Sequence, residues 1–221
     1  VQQMLDFSSR AMINREPTDL GALVAEFLEA FSSRVPDDIH VCFAQEISSG
    51  DEPLVASVDR SRLRQALANL ADNALDAMPH GGELRFELTK VELEADEAPP
   101  AADVPSLLGG AHGAALFGGE WIRLVVSDTG TGMTEDVRSQ LFSPFFTTKE
   151  VDQGIGLGLS QVYGILRQHG GTIDVETGPG QGTRFTIHLP SRPDAETSRT
   201  DLERSRDIVL LVTEDEGLRE A

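Results

Sequence analysis

Two asparagines four residues apart are the first residues whose type and spacing could do chemistry. Asn69 and Asn73 lie in the stretch LANLADNALDA, whose apolar residues repeat with the period of a helix. Residues at i and i+4 share one helical face, so the two amides are predicted to lie side by side. Asparagine is a poor helix former and is costly to bury without partners. The pair is therefore either ordinary helix surface or part of a site that uses neutral amide groups.

Two glycine-rich segments further along the chain have backbones that a ligand could approach closely. SDTGTGM, residues 127–133, follows a strand pattern; Asp128 could accept a hydrogen bond from an exocyclic amine, and Gly130 and Gly132 leave room for a flat ligand. GIGLGLS, residues 154–160, runs into a helix pattern, and the amides of a helix N-terminus suit phosphate. The second segment is neither a Walker loop nor G-x-G-x-x-G. Taken alone, each could equally be a turn or a connector.

Two further segments are also ambiguous when each is considered separately. GPGQGT, residues 178–183, lies between two strand patterns and is typical of a hairpin turn. LFSPFFTTK, residues 141–149, places two phenylalanines beside a proline and ends in Lys149. The phenylalanines could fill the core or anchor a lid, and Lys149 could reach a phosphate or be solvated surface.

Alternating helix and strand patterns must position these segments. Helices are predicted at about 19–34, from near 59 to just before Pro79, at about 135–142 and at 157–169; strands are predicted at 39–47, 83–93, 121–127, 172–176 and 183–189. The Ala-, Pro- and Gly-rich stretch 94–119 is predicted to be a long loop. The simplest packing is α+β: a two-layer sandwich with a mixed, mostly antiparallel sheet and helices on one face.

The five segments, taken in order, resemble the ATP-binding catalytic domain of sensor histidine kinases. The shared pattern is Asn-x-x-x-Asn, Asp-x-Gly-x-Gly, Phe-x-Pro-Phe-Phe, Gly-x-Gly-x-Gly and Gly-x-Gly-Thr. Each motif is weak alone, and the set in this order at normal spacing is specific. The resemblance covers about residues 18–190 and implies the Bergerat fold with ATP and Mg²⁺ as ligands. The style of PFFTTK and GLGLSQVYGILRQHGG looks most like hybrid kinases that carry a fused receiver domain.

The resemblance also implies roles at the adenine end of the site. Asp128 would contact the adenine amino group, and Thr183 would support the edge of the base. Gly130, Gly132 and Met133 would shape the base pocket.

At the phosphate end, the resemblance implies catalytic roles for Asn69, Asn73 and Lys149. Asn73 would offer a neutral oxygen to Mg²⁺. Asn69 stands where related ATPases of the gyrase, chaperone and mismatch-repair type carry a glutamate that activates water, and an amide cannot take up that proton. Many relatives carry a basic residue where this chain has Asp76, and Lys149 is the expected substitute. Gly154, Gly156, Leu157 and Gly158 would border the lid and the phosphates, and Phe145 and Phe146 would dock or release the lid.

The flanking sequences predict four parts of a longer protein. Residues 1–15 resemble the end of a dimerisation and phosphoacceptor helix, 16–192 form the catalytic domain, 193–207 a linker, and 208–221 the start of a receiver domain. The expected chemistry is transfer of the ATP γ-phosphoryl group to a histidine on the dimerisation domain and then to an aspartate of the receiver. The full-length protein is expected to be a homodimer.

Composition limits the alternatives. The 221 residues include 37 acidic and 18 Lys and Arg residues, a net charge of −19, so no basic face for nucleic acid is expected and an anionic ligand would need a cation. The single Cys42 and the short apolar runs favour a cytoplasmic location without direct membrane contact. Two rival functions remain: a hydrolysing ATPase of the same superfamily, and a nucleotide-sensing module without catalysis.

Overall fold

The structure is a computed structural model that describes residues 13–46, 53–93, 119–149 and 156–191. Its elements in chain order are β1 (Glu16–Asp19), α1 (Leu20–Phe31), a 3-10 turn (Ser32–Arg34), β2 (Ile39–Glu46), β3 (Val55–Val58), α2 (Arg60–Ala77), β4 (Gly82–Leu93), β5 (Gly119–Asp128), α3 (Glu135–Arg138), α4 (Gly158–Gln168), β6 (Thr172–Thr177) and β7 (Thr183–Pro190). The following predictions lie outside the described residues: the helix fragment up to residue 12, most of the long loop at 94–118, Gly154, the linker 193–207 and the receiver fragment 208–221.

A five-stranded sheet in the order β2-β4-β5-β7-β6 forms one layer of the domain. β2 pairs with β4 in parallel, and the remaining neighbours pair antiparallel. The parallel pair arises because β3 and α2 intervene between β2 and β4, which lets the chain return to the same end of the sheet. The predicted mixed, mostly antiparallel sheet is confirmed.

Helices α1, α2 and α4 cover one face of that sheet and bury its alternate residues. Strand residues on this face belong to one hydrophobic cluster with the apolar stripes of the helices, as alternation in strands and the 3.6-residue helical period require. The cluster includes Leu84, Phe86, Leu88, Ile122, Leu124, Val126, Phe185 and Ile187 from strands and Leu23, Phe27, Leu63, Leu67, Leu70, Val162 and Leu166 from helices. The predicted two-layer α+β sandwich is therefore confirmed.

Asp59 sets the start of α2, and a glycine pair sets the end of α4. Asp59 accepts from the backbone N–H groups of Ser61 and Arg62 at 3.0 and 3.1 Å, which caps the N-terminus of α2. α4 ends after Gln168 because Gly170 adopts a φ of 71° and the Gly171 N–H donates to the Leu166 carbonyl at 2.9 Å. Both ends lie where the sequence predicts them, and they fix the lengths of the two helices that flank the cleft.

A two-stranded antiparallel sheet formed by β1 and β3 is absent from the prediction. Glu16 pairs with Val58 and Asp19 with Val55, so the chain entering the domain is held against the start of α2. Arg15 donates to the Gln168 carbonyl at 2.5 Å, and the Asn14 N–H donates to Asp59 at 3.3 Å. Residues 13–15 are therefore attached to the domain, and they are not helical.

Two predicted details differ from the structure. Alternation predicts that Val41 faces the same way as Ile39 and Phe43, but its side chain is 36% exposed on β2, which is an edge strand of the sheet. The helix predicted to reach Phe142 ends at Arg138. The chain continues as hydrogen-bonded turns that bury Phe142, so the apolar residues there pack without extending the helix.

The sheet face opposite the helices is not uniformly polar. Trp121, Val125 and His188 share this face by their register and are 7%, 3% and 7% exposed. Burial, together with the charge of Arg123, lowers the pKa of His188. The ring of His188 is therefore a neutral, buried group.

None of the helices in the described ranges combines the length and apolar character that crossing a membrane requires.

Candidate functional site

A cleft of about 950 Å³ lies between α2, the loop after β5, the segment 146–149 and the start of α4. It brings together residues that are up to 116 positions apart in the chain, from Asn69 to Phe185. Eleven of the predicted site residues line it: Asn69, Asn73, Asp128, Gly132, Met133, Phe146, Lys149, Gly156, Leu157, Gly158 and Thr183. Phe145 does not line it. Gly130 packs against Ala77 of α2 and does not line the cavity, and Gly154 is outside the described residues.

Asp128 stands at the end of β5 in one end of the cleft. Its Oδ1 accepts from the Gly130 N–H at 2.8 Å, and the Thr183 N–H also donates to the carboxylate. Burial raises the pKa of Asp128, and these two hydrogen bonds oppose that rise. A partly desolvated carboxylate is a strong acceptor for an amine, so the predicted role of Asp128 has the expected local chemistry.

Glycines let three chain segments meet next to Asp128. A Cβ on Gly130 would lie 2.5 Å from the Ala77 carbonyl oxygen, and a Cβ on Gly132 would overlap the Gly178 carbonyl. Gly132 also adopts a φ of 63°, which side chains rarely tolerate. Gly130 is therefore required for close approach to α2, whereas Gly132 is required both for close approach and for its backbone conformation.

The hydroxyl of Thr177 ties these segments together. It accepts from the Met133 N–H at 3.0 Å, donates to the Gly182 carbonyl at 2.9 Å and lies 3.2 Å from the hydroxyl of Thr183. The sequence analysis missed Thr177, because a threonine at a strand end carries no signal of contacts with residues more than forty positions away. The backbone groups at this end of the cleft are thus held by hydrogen bonds to the hydroxyl of Thr177, which lies next to that of Thr183.

The two asparagines of α2 face the other end of the cleft, as predicted, and differ in their contacts. Asn69 Nδ2 donates to the Gly158 carbonyl at 3.1 Å and to Gln161 Oε1 at 3.4 Å. Asn73 makes no side-chain hydrogen bond with any of the described residues, although it lines the same cavity. Asn69 is therefore held by α4, and the amide of Asn73 is available to a ligand.

Lys149 lies beside Asp76 on the rim of this end. Its ammonium forms an ion pair with Asp76, and the two side chains are 34% and 57% exposed. The structure brings Lys149 to Asp76 of α2, the position for which the resemblance implied Lys149 as the source of positive charge. The positive charge is present but is already balanced, and Asp72 nearby is paired with Arg34 at 2.7 Å.

Phe145 and Gly156 are joined by a backbone hydrogen bond, and we call this pair the neck. The Phe145 N–H donates to the Gly156 carbonyl at 2.9 Å, and both residues have positive φ values of 67° and 69°. Phe145 is also 60% exposed, in contrast to the buried Phe142. A non-glycine residue with positive φ is strained, so the neck holds a conformation that the sequence of Phe145 does not favour.

Comparison with known proteins identifies the family. The family model for histidine kinase-, DNA gyrase B- and HSP90-like ATPases matches residues 58–193, which include α2, the sheet strands β4 to β7 and all of the cleft. The chain belongs to this family.

Within the family, the similar proteins are histidine kinases. Sensor kinase CckA of Brucella abortus (strain 2308) is 35% identical over 232 residues, covering 99% of this chain and 23% of CckA. The catalytic domain of histidine kinase ThkA has a TM-score of 0.59 at 27% identity and covers 80% of this chain and 95% of that one. Full-length ShkA in complex with AMPPNP has a TM-score of 0.60 at 25% identity, covering 86% of this chain and 34% of ShkA.

These findings confirm the resemblance inferred from the five motifs. The described domain is an ATP-binding catalytic domain of the histidine kinase type, with the α+β fold of that group. The chain spans about a quarter of the length of CckA. The activity of the whole protein therefore belongs to the proposal below.

Several residues of this histidine kinase cleft were not predicted from the sequence. The missed lining residues include Asp72, Thr131, Thr147, Thr148, Gln161 and Phe185. Asp72 could have been found, because it lies three residues after Asn69 on a neighbouring helical position. Gln161 could not, because its relevance depends on the packing of α4 against α2, which lies about ninety residues earlier.

Proposed function

We propose that the cleft binds Mg·ATP and that the full-length protein transfers the γ-phosphoryl group to a histidine on a separate dimerisation domain. The arrangement of the cleft supports this proposal most strongly. It has the partly buried carboxylate of Asp128 at one end, and the neutral amides of Asn69 and Asn73 beside the N-terminus of α4 at the other. The first suits the amino group of adenine, and the second suits phosphate and its metal. That full-length ShkA has been solved with AMPPNP supports a nucleotide as the ligand of this cleft.

In this proposal Asp128 selects the base. Its carboxylate accepts from the adenine amino group, while Thr183 and the glycine turn at Gly132 bound the ring. Met133, whose N–H is held by Thr177, supplies an apolar surface on the loop. Because these groups are fixed before the ligand arrives, little ordering is required on binding.

The donor groups at the other end fit Mg²⁺. Amide oxygens are hard ligands of the kind this ion accepts, and Asn73 has such an oxygen without a hydrogen-bond partner among the described residues. Among the described residues that line the cleft, the acids Asp72, Asp76 and Asp128 outnumber the one cation, Lys149, so a triphosphate would meet net negative charge from these side chains. Bound Mg²⁺ would offset charge on the phosphates. Asn73 would be its protein ligand, and Gly156, Leu157 and Gly158 would lie along the phosphates.

The absence of a carboxylate at position 69 favours transfer over hydrolysis. An amide held between Gly158 and Gln161 cannot accept the proton of an attacking water. In this proposal the acceptor histidine lies on another domain. Among the described histidines, His40 and His80 are exposed but do not line the cleft. His169 has both ring nitrogens engaged, by the Asp59 N–H and the Ile165 carbonyl, and His188 is buried on the far face of the sheet.

The proposed partners follow from this chemistry. Residues before 16 would lead into the phosphoacceptor helices of a homodimer, and a receiver domain, whether fused after residue 208 or separate, would take the phosphoryl group onto an aspartate. These assignments rest on the sequence resemblance of the flanks.

Isothermal titration with ATP in the presence and absence of Mg²⁺ tests the binding part. Incubation with γ-labelled ATP then tests the reaction: the isolated chain should remain unlabelled, and a supplied phosphoacceptor domain should become labelled. Label on the isolated chain would contradict the proposal. Steady phosphate release would favour the ATPase, and binding without transfer to any supplied acceptor domain would favour the nucleotide sensor.

A further inference from the structure

The side-chain amide of Asn69 has a fixed orientation in the structure. Its nitrogen donates to the Gly158 carbonyl at 3.1 Å. A backbone carbonyl can only accept, so the nitrogen must face Gly158 and the oxygen must face elsewhere. None of the described residues donates to that oxygen, while Asn69 lines the cleft. Oδ1 is thus the atom of Asn69 that a ligand in the cleft can use.

Gln161 on α4 completes this orientation. Its Oε1 accepts from Asn69 Nδ2 at 3.4 Å and from Gln65 Nε2 at 3.5 Å. The same oxygen therefore accepts hydrogen bonds from side-chain amides on two successive turns of α2, since Gln65 and Asn69 are four residues apart. With Gly158 and Gln161 as its two acceptors, the NH₂ group of Asn69 has both of its hydrogens used.

Gln161 lies outside all five glycine-bearing or asparagine motifs, and nothing in its sequence context indicates a role. It lies one helical turn after Gly158, on the part of α4 that packs against α2. Both Gln161 and Asn69 are partly buried, so their hydrogen bond is shielded from competing water more than a surface pair would be.

We propose that Gln161 is a positioning residue that holds Asn69 with its Oδ1 turned toward the Mg²⁺ or a metal-bound water of the nucleotide complex. This inference rests on the proposed function, because it assumes that Mg·ATP occupies the cleft. Gln161 also lines the cleft, and in this proposal its effect on metal binding is exerted through Asn69. Loss of its acceptor leaves one Asn69 hydrogen unpaired, and the amide is then held by the Gly158 carbonyl alone.

The first test compares ATP affinity with and without Mg²⁺ by isothermal titration in matched variants. Gln161→Met keeps length and apolar packing but removes the acceptor, and it should lower the ratio of the two affinities about fivefold, the effect of one neutral hydrogen bond. Gln161→Glu keeps an acceptor oxygen and should leave the ratio at or above that of the wild type. Gln65→Met, which removes only the 3.5 Å contact, should change the ratio less than about twofold.

A double-mutant cycle separates positioning from packing. In an Asn69→Ala background, Gln161→Met should have no further effect on the Mg²⁺ ratio, because the group it positions is gone. If Gln161→Met lowers the ratio equally with and without Asn69, or lowers the melting temperature without changing the ratio, Gln161 is a packing residue and the inference is wrong.

A second readout needs no nucleotide. In the ligand-free protein, the side-chain NH₂ signals of Asn69 in a ¹⁵N NMR spectrum should exchange slowly with solvent, and exchange should accelerate in Gln161→Met but not in Gln161→Glu. Unchanged exchange in Gln161→Met would overturn the inference even if ATP binds. Wild-type protein that shows this protection but binds no ATP would instead contradict the proposed function and leave the Asn69 contact established.

Discussion

The two ends of the cleft are built differently. At the base end, Asp128, Thr177 and Thr183 are joined by hydrogen bonds, and glycine turns bring three backbone segments into direct contact. At the phosphate end, Asn73 has no partner among the described residues and Lys149 forms an exposed ion pair. The base end is organised before a ligand arrives, whereas the phosphate end has groups that are free or exposed and can bind a charged ligand and its metal.

This difference suggests a division of work. The base is recognised by groups that are already fixed. If these groups were misplaced, the base would give up its hydrogen bonds to water on entering the cleft without gaining equivalent ones from the protein. The phosphate end must accept Mg·ATP and release Mg·ADP, so its charges have to re-pair during each cycle. Substitutions at the base end should therefore affect folding and binding together, and those at the phosphate end should affect binding alone.

The largest expected effect is at Gly132. Gly132→Ala forces a side chain into the Gly178 carbonyl at a φ of 63° and should lower the free energy of unfolding by about 3 kcal/mol. The matched control is Gly180→Ala, which has a φ of 72° but no atom within 4 Å of the new methyl group, and it should cost about 1 kcal/mol. Urea unfolding measures both, and equal losses would show that the turn is not closely packed.

Asp128→Asn should weaken ATP binding about 30-fold, because it removes a charged acceptor for the adenine amine. It should also raise the free energy of unfolding of the ligand-free protein at pH 7. Since burial raises the pKa of Asp128 in the folded state, the folded protein favours the protonated form, and the stability that this group contributes is lost as pH rises through the folded pKa.

The advantage of Asp128→Asn in stability should therefore shrink as pH falls through the raised folded pKa toward the ordinary value near 3.9. Urea unfolding of variant and wild type between pH 4 and 7 measures this, with adenosine binding at pH 7 as the check on the base contact. A gap that widens with falling pH would mean that hydrogen bonds, and not desolvation, dominate the carboxylate.

At the phosphate end, Lys149→Met should weaken ATP binding about threefold to fivefold without changing the free energy of unfolding by more than about 0.5 kcal/mol, because the ion pair is exposed. Asp76→Asn should have the opposite effect and strengthen ATP binding about twofold by releasing the ammonium. Titration with ATP and with adenosine at two salt concentrations measures both, and adenosine affinity should remain constant. A matching change in adenosine affinity would show that the two ends are not independent.

An effect of similar size to that of Lys149→Met is expected at Phe145. Phe145→Gly relieves the positive φ and should leave the protein about 1 kcal/mol more stable than Phe145→Ala, which keeps the strain without the ring. Since the ring is 60% exposed, losing it should have little further effect on stability. Thermal unfolding of the pair measures this, and equal melting temperatures would show that the neck carries no strain.

Much of the fold could be predicted, because most elements repeat at their own period and end at clear signals. α2 is an example: Asp59 caps it and the Pro79 stop follows it. β1 and β3 were missed, since EPTD and VASV are four residues long and too short for alternation to show. Val41 was placed wrongly because alternation gives the face of a strand and not whether anything covers that face.

The site divides in the same way. Residues inside motifs, such as Asp128 and Asn73, could be found because their spacing is local. Thr177 and Gln161 act through partners that lie 44 and 92 residues away, and such contacts exist only after the chain has folded. Lys149 was predicted without its ion pair, because sequence gives no distance between position 149 and Asp76.

The contact between Asn69 and the Gly158 carbonyl also limits how this domain could change its reaction. A glutamate at position 69 would bring a carboxylate against a carbonyl that cannot donate, and Gln161 would have to turn its own amide to receive it. A single substitution would thus produce electrostatic repulsion rather than a working hydrolase. Conversion to a hydrolase would therefore require a change in α4 as well as the change at position 69.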